Sequence, residues 1–150
     1  MSFQHTPVLI NEVLTFLKPK PGKIMVDCTA GGGGHSKAIF ERILPGGRLI
    51  ALDQDLDAVK AAEANLSSLG VGNFKVIHRN FEHLKAVLTQ EGISKVDGIL
   101  YDLGVSSFQL DTEERGFSYQ SDAPLDMRMD RRQKFNAYDL VNNSSAEELT

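Results

Sequence analysis

The chain has 150 residues, 41% hydrophobic and 24% charged, which is the composition of an ordinary globular domain that can bury a core. Its net charge of −4 gives no overall electrostatic case for nucleic-acid binding, although a local basic surface would suffice. A single cysteine excludes an internal disulfide, and no apolar run reaches the ~18 residues of a membrane-spanning helix. The first residues do not resemble a signal peptide, so we expect a cytoplasmic protein without a membrane partner.

Apolar runs and Pro/Gly turn signals alternate along the first hundred residues in a helix–strand pattern. The predicted elements are a helix over 8–17, a strand over 23–28, a helix over 36–43, a strand over 48–52, a helix over 54–68, a strand over 74–78, a helix over 81–90 and a strand over 96–101. Such short helical crossovers between apolar strands predict an α/β fold with a parallel sheet and right-handed connections. Cys28 falls in the first of these strands, where we expect a buried core thiol.

Four consecutive glycines, residues 31–34, join the first strand to the next helix. A strand, a glycine turn and a helix in this order open the nucleotide site of doubly wound α/β sheets. Glycines let the backbone approach a ligand closely, and the first turn of the helix offers unpaired N–H groups. The sequence therefore predicts a nucleotide-like ligand at the carboxyl end of the first strand.

Asp53 lies 20 residues after Gly33, at the end of the second strand, where an acid can accept the ribose hydroxyls of an adenosine-containing cofactor. NAD-type dehydrogenases and methyltransferases that use S-adenosylmethionine share this spacing. Counting from Gly31 and Gly33, the third glycine of a dinucleotide fingerprint would fall on Ser36, which is a mismatch. Asp27 before the glycines fits the looser methyltransferase pattern better, and the dehydrogenase remains the alternative.

The carboxyl ends of parallel strands meet at one edge of the sheet, so residues just past the four strands should line one crevice. They are Gly33, Gly34, His35, Asp53, Asn80, Phe81 and Asp102. Phe81 could pack against adenine or be the first core residue of its helix. Asp102 could bind the methionine ammonium, face the methyl acceptor or cap the next turn. His35 could hold the cofactor through its backbone or have a structural role, and the four histidines show no metal-binding pattern.

The chain changes in character after Asp102. Residues 103–111 are interpreted as a polar loop with apolar anchors, and residues 137–141 as a helical turn. A basic cluster follows in the chain, and its two open interpretations are a solvated surface and an RNA contact. Its members are Arg128, Arg131, Arg132 and Lys134.

Ser145 and Glu148 form a capping-box pattern of the kind that starts a helix, with two residues after it. Four strands are few for a doubly wound sheet, and the fourth would be an apolar edge. We therefore expect the chain to be the N-terminal part of a longer protein, or a truncated product, able to self-associate through that edge.

Motifs of unusual composition are spread over nearly the whole chain: HTPVL at 5–9, GGGGHS at 31–36, DQD at 53–55, NF at 80–81, DLGVSS at 102–107, QLD at 109–111, RGFS at 115–118 and LDMRMD at 125–130. In these motifs the chain closely resembles the bacterial 16S rRNA cytosine-N4 methyltransferase family, RsmH or MraW. The resemblance implies a Rossmann-like class I methyltransferase sheet, of which the first four strands are present. It implies that residues 1–109 are the N-terminal part of the S-adenosylmethionine-binding domain and that 110–150 begin an inserted, mostly helical substrate-recognition domain.

The resemblance also implies the chemistry. The enzyme would transfer a methyl group from S-adenosylmethionine to N4 of a cytidine in the decoding region of 16S rRNA in the small ribosomal subunit. The residues that the family pattern places on the cofactor are Gly33, Gly34, His35, Asp53, Phe81, Asp102 and Gln109. Asp102 is also the candidate catalytic residue, as the acceptor of the N4–H group. We expect this chain by itself to have weak or no methyltransferase activity, and a non-catalytic cofactor-binding fragment remains its alternative role.

Overall fold

The computed structural model describes residues 7–70 and 72–150, so His5 and Thr6 of the first motif lie outside the described part. The chain divides into two compact units, Met1–Leu103 and Gly104–Thr150. None of the described helices combines the length and apolar character that a membrane crossing requires. The predicted domain boundary after residue 109, and the idea that an inserted domain begins there, stay predictions.

The first unit is an α/β unit with a parallel sheet, as predicted. Its elements are α1 (Ile10–Leu17), β1 (Ile24–Asp27), α2 (Gly34–Ile43), β2 (Arg48–Asp53), α3 (Leu56–Ser67), β3 (Phe74–His78), a 3₁₀ turn (Phe81–His83), α4 (Leu84–Gln90) and β4 (Gly98–Leu100). The strand order in the described sheet is β3-β2-β1-β4, so β1 and β2 lie inside it and β4 lies at one edge. The order reverses between β1 and β4, and in such sheets ligands bind beyond the carboxyl ends of the strands at this switch point.

Both faces of the central strands are buried, which explains their continuous apolar sequence. Successive residues of β1 alternate between two core clusters: Met25 packs with the α2 residues Ile39 and Phe40, and Val26 packs with Val87 of α4. Cys28 belongs to the second cluster and is a free, buried thiol, as predicted. The rigid core therefore lies directly beneath the carboxyl ends of β1 and β2.

Most predicted bounds in this unit differ from the observed ones by one or two residues, and in two elements that are shorter than predicted a side chain binds near the end concerned. β4 is shorter than the predicted strand over 96–101. Asp97 N still donates to Ile24 O (2.8 Å), but the Asp97 side chain also binds the start of β1: it accepts a hydrogen bond from Ile24 N (2.9 Å) and forms an ion pair with Lys23 (2.7 Å). The predicted helix over 81–90 begins instead as a 3₁₀ turn, since the Asn80 side chain accepts a hydrogen bond from Glu82 N at 2.9 Å.

The second unit contains a helix where we predicted a loop. α5 (Ser107–Asp111) begins with a capping box, in which Ser106 Oγ accepts from Gln109 N (3.2 Å) and Gln109 Oε1 accepts from Ser106 N (3.0 Å). A 3₁₀ turn (Glu113–Arg115) and α6 (Ala137–Asn143) follow, and α6 is longer than the predicted helical turn. Ser145 and Glu148 form the reciprocal capping-box hydrogen bonds that the sequence pattern indicates.

A buried arginine organises the irregular part of this unit. The Arg115 guanidinium donates hydrogen bonds to Arg128 O (3.1 Å) and Met129 O (3.3 Å). Met127 N donates to Arg115 O (3.0 Å), and Met127 has a left-handed backbone with φ of 58°. These hydrogen bonds tie residues 127–129 to the 3₁₀ turn at Glu113–Arg115.

Candidate functional site

Strand β1 ends at a buried carboxylate, Asp27, which holds the glycine turn against α2. Asp27 Oδ1 accepts hydrogen bonds from Thr29 N (3.0 Å) and Thr29 Oγ1 (3.4 Å), and Asp27 Oδ2 accepts one from Ser36 Oγ (2.7 Å). Burial raises the pKa of Asp27, and the hydrogen bonds from Ser36 and Thr29 oppose this shift. The acid before the glycines therefore shapes the turn from inside the protein.

Asp53 at the end of β2 fixes the other side of the glycine turn. Asp53 Oδ2 accepts a hydrogen bond from Gly31 N (2.9 Å), and Asp53 Oδ1 accepts one from Asp55 N (2.9 Å). Burial raises the pKa of Asp53, while these backbone donors lower it. The backbone of Gln54 also hydrogen-bonds to Asp53, and since a carboxylate has about four acceptor sites, the group keeps capacity to accept a hydroxyl hydrogen bond from a ligand.

The glycines of the turn have different structural roles. Gly33 has φ of +82°, and a Cβ atom there would lie 2.8 Å from Ala62 Cα, so this position lets the turn pack on α3. A Cβ atom on Gly34 would lie 2.3 Å from Pro7 Cγ. At Gly31 (φ +50°) the nearest atom to an added Cβ is 4.0 Å away. Gly31 thus borders open space, whereas Gly33 and Gly34 also serve close packing.

His35 and Asp102 are brought together, although they come from different loops. His35 is buried, with Nε2 2.9 Å from Val8 O and Nδ1 3.6 Å from Asp102 Oδ2. Because a carbonyl only accepts, Nε2 carries the proton that is donated to Val8 O. Asp102 N donates to Thr29 Oγ1 (2.8 Å), and the Asp102 side chain is exposed. The His35 side chain thus has the structural role that we weighed for it, and the Asp102 carboxylate is open to solvent beside the turn.

An aromatic pair lies past the ends of β3 and β4. The rings of Phe81 and Tyr101 meet edge to face with centroids 5.4 Å apart, and the side chains are 36% and 47% exposed. Phe81 is therefore not a buried core residue of its helix, and that interpretation was wrong. Tyr101 was not predicted as a site residue, and its position directly before Asp102 was the signal that could have indicated it.

The remaining candidates have structural partners. Asn80 Nδ2 donates to Gln54 Oε1 (3.0 Å), so Asn80 joins the ends of β2 and β3. Gln109 is buried in the second unit, within the capping box of α5, and its contact with a cofactor stays a prediction. Within residues 7–70 and 72–150, no three His, Cys, Asp or Glu side chains are grouped in a way that could hold a metal ion.

Solved structures share the fold. A Clostridium thermocellum protein assigned as an rRNA-methylase superposes with a TM-score of 0.59 at 17% identity, covering 67% of this chain and 54% of that chain. TrmN from Thermus thermophilus superposes with a TM-score of 0.52 at 22% identity, over 62% of this chain and 26% of the other. At these identities the similarity establishes the Rossmann-like sheet and nothing further.

Sequence relatives are much closer. The protein named ribosomal RNA small subunit methyltransferase H of Clostridioides difficile (strain 630) is 50% identical over 150 residues, which is 100% of this chain and 48% of the relative. The protein of the same name from Clostridium botulinum (strain Loch Maree / Type A3) is 49% identical over 149 residues, 99% of this chain and 48% of the relative. The chain thus spans about half the length of these curated relatives. The model of the MraW methylase family matches residues 2–150, so the chain belongs to this family, as its motifs predicted.

Proposed function

We propose that this chain binds S-adenosylmethionine beyond the carboxyl ends of β1 and β2, and that the protein methylates N4 of a cytidine in 16S rRNA. The observation that carries the proposal is the hydrogen bond from Gly31 N to Asp53, which joins the glycine turn to the acid at the end of β2. The names of the relatives, which specify small-subunit ribosomal RNA, supply the substrate. The small ribosomal subunit is then the partner, and the cytoplasm is the location of the reaction.

The residues around the turn fit this cofactor. Asp53 would accept hydrogen bonds from the ribose hydroxyls with its remaining acceptor capacity, and the ring of Phe81, which is 36% exposed, would lie against adenine. The open space at Gly31 would admit the ligand to the backbone of the turn. The cofactor would supply an electrophilic methyl group on a sulfonium. The proposed cofactor contacts are completed by Gly33, Gly34, His35, Asp102 and Gln109. His35 would act through its backbone, because its side chain is hydrogen-bonded to Val8 O.

The protein contributes alignment and a proton acceptor. The N4 lone pair of cytidine is conjugated into the ring, so an acceptor on N4–H favours attack on the methyl group, and in-line positioning supplies much of the rate. The exposed carboxylate of Asp102 is the proposed acceptor. Reaching N4 requires a base that is unstacked from a helix.

Ser36 distinguishes this function from the dehydrogenase alternative. A dinucleotide fingerprint places its third glycine at this position, so that the helix packs closely on the strand. Here the position holds a completely buried serine whose hydroxyl donates to Asp27 at 2.7 Å. Position 36 therefore carries a hydrogen-bonded side chain, whereas a dinucleotide fingerprint has a glycine there.

Equilibrium titration with labelled S-adenosylmethionine, with NAD as the competitor, tests the cofactor. Binding of S-adenosylmethionine that NAD does not displace supports the proposal, and preferential binding of NAD contradicts it. Incubation with small ribosomal subunits and analysis of the nucleosides then tests transfer to cytidine N4. Cofactor binding without transfer would assign this chain the role of a non-catalytic fragment. Size-exclusion chromatography of the same sample tests self-association through the β4 edge.

Asp102→Asn tests the proposed proton acceptor. The amide keeps the shape of the carboxylate but cannot take a proton, so we expect transfer to slow by about 10²-fold. A variant that keeps both cofactor affinity and the full transfer rate would exclude Asp102 from the chemical step.

A further inference from the structure

The second unit exposes a short basic and aromatic segment, residues 131–135. All five of its residues are exposed, and the Phe135 side chain is 72% exposed. Arg131 lies within a turn over residues 130–133, and Lys134 follows that turn; hydrogen bonds made by other residues fix its backbone. This arrangement separates the residues that build the turn from those that are free to contact a partner.

Hydrogen bonds within the unit fix the backbone of the segment. Gln133 N donates to Asp130 O (3.1 Å), which closes the turn, and Asp130 Oδ1 accepts from Arg132 N (2.9 Å). Arg128 Nη1 donates to Gln133 O (2.8 Å). Because the turn is ordered before any partner binds, less conformational entropy is lost on binding.

Two of the four cations in the predicted basic cluster are neutralised. Arg128 forms a fork on Asp126, with Nε 2.8 Å from Oδ1 and Nη2 2.7 Å from Oδ2. Arg132 forms the same fork on Asp130, at 2.9 and 2.8 Å. The Arg128 hydrogen bond lowers the pKa of Asp126 to about 2, so Asp126 is ionised near neutral pH and the ion pair is kept. Arg128 and Arg132 are therefore part of the turn itself.

The other two cations have no such partner. Arg131 and Lys134 form no ion pair within 4.0 Å with any residue of the described ranges, although the charge of Arg131 contributes to the low pKa of Asp126. Since the paired charges cancel, the segment presents two positive charges on a protein whose net charge is −4. Phe135 follows Lys134 directly and adds an exposed aromatic face.

We propose that Arg131, Lys134 and Phe135 form a contact surface for single-stranded RNA, and this proposal rests on the function proposed above. The two cations contact phosphates, and Phe135 stacks on an unpaired base. Phosphate charges and exposed base faces are the two features that single-stranded RNA offers to such a surface. A second copy of the chain is the competing occupant, and the test separates the two.

The test measures fluorescence anisotropy of a labelled, cytidine-containing single-stranded RNA against the full chain, at several salt concentrations. We expect R131Q/K134Q to bind about tenfold more weakly near 0.1 M salt, and its slope of log K against log salt to fall by about 1.4, which corresponds to two phosphate contacts on a single strand. F135A should weaken binding about tenfold and leave the slope unchanged, because stacking does not release counterions. R131Q alone removes one of the two phosphate contacts and should lower the slope by about 0.7. R132Q is its matched control, because it removes the same single charge from the adjacent residue, and we expect less than about a twofold change in affinity.

Absence of RNA binding by the chain, or equal losses for R131Q and R132Q, would overturn the proposal. A dimer that dissociates on F135A substitution, seen by size-exclusion chromatography, would identify a second copy as the occupant and would also overturn it. Titration of the same variants with S-adenosylmethionine keeps the two proposals apart. Variants that bind RNA more weakly but keep the cofactor affinity of the native chain support the proposed RNA surface. If the native chain binds RNA but not the cofactor, only the proposed function is contradicted.

Discussion

The hydroxyl of Ser36 donates a 2.7 Å hydrogen bond to Asp27 Oδ2, and this contact ties the first turn of α2 to the end of β1. Both residues are completely buried. The glycine turn between them is therefore held at its two ends by the protein, while Asp53 holds its middle through Gly31 N. The turn has its shape before any ligand arrives, which is the condition for a site that binds without large rearrangement.

Ser36→Ala should lower the free energy of unfolding by about 1–3 kcal/mol, since it removes a donor from a buried carboxylate. Urea unfolding followed by circular dichroism measures the change. Ser67→Ala, at an exposed position near the end of α3, is the control and should change the free energy of unfolding by less than about 0.5 kcal/mol. Equal effects of the two substitutions would show that the hydrogen bond does not stabilise the fold.

Asp27→Asn should change how stability depends on pH. Burial raises the pKa of Asp27 above the ordinary value of 3.8, so the folded protein holds this proton more tightly than the unfolded chain does. The Asp27 contribution to stability is then fully present below about pH 4 and is lost as the pH rises through the folded pKa. The free energy of unfolding of the native protein minus that of Asp27→Asn should therefore decrease from pH 4 to pH 7. Urea titrations across this range measure it, and an increase would contradict the raised pKa.

Gly33→Ala and Gly31→Ala should destabilise the fold to different extents, because only Gly33 packs against α3. Gly33→Ala should cost several kcal/mol, because its Cβ would lie 2.8 Å from Ala62 Cα at a φ of +82°. Gly31→Ala has open space around its Cβ and should cost only about 1 kcal/mol of backbone strain. Thermal unfolding compares the two variants. Equal destabilisation would mean that contact with α3 is not what requires glycine at position 33.

The fold was predictable because its signals are local. The sequence indicates a parallel sheet through the apolar runs of β1 and β2 and the helical spacing between them. In such a sheet Asp53 and Asp102 both lie at the carboxyl ends of their strands. α5 was not predicted because five residues are too few to show a helical repeat, although Ser106 and Gln109 have the spacing of a capping box.

The finer roles in the site depend on contacts that no local pattern encodes. The sequence identifies Asp27 as the acid of a cofactor motif. It does not show that the Asp27 oxygens accept hydrogen bonds from Thr29 and Ser36. The pairing of His35 with Val8 O and the edge-to-face contact of Phe81 with Tyr101 join segments that are distant in the chain. The division of the basic cluster into paired and unpaired cations likewise requires the geometry of the turn.

Arg128→Gln should raise the pKa of Asp126 from about 2 toward its ordinary value of 3.8, since the Arg128 hydrogen bond is the largest cause of the low value. The Asp126 contribution to stability is present above about pH 4 and is lost as the pH falls through the folded pKa. Carboxyl carbon chemical shifts measured by NMR during an acid titration report the pKa directly. A pKa that stays near 2 in Arg128→Gln would show that another group holds Asp126 ionised.

Asp53→Asn should weaken S-adenosylmethionine binding by at least about tenfold, the size expected for losing hydrogen bonds to a charged acceptor. Asp53 binds Gly31 N and Asp55 N with its two oxygens, and the amide can keep only one of these bonds, since its NH₂ group faces a donor. Part of the loss could therefore arise from the turn itself, so urea unfolding of the same variant is measured beside the calorimetric titration. Asp122→Asn, an exposed position in the second unit, removes the same charge and should leave the affinity unchanged. Unchanged affinity in Asp53→Asn would remove the acid at the end of β2 from the proposed cofactor site, and equal losses in both variants would indicate an effect of net charge alone.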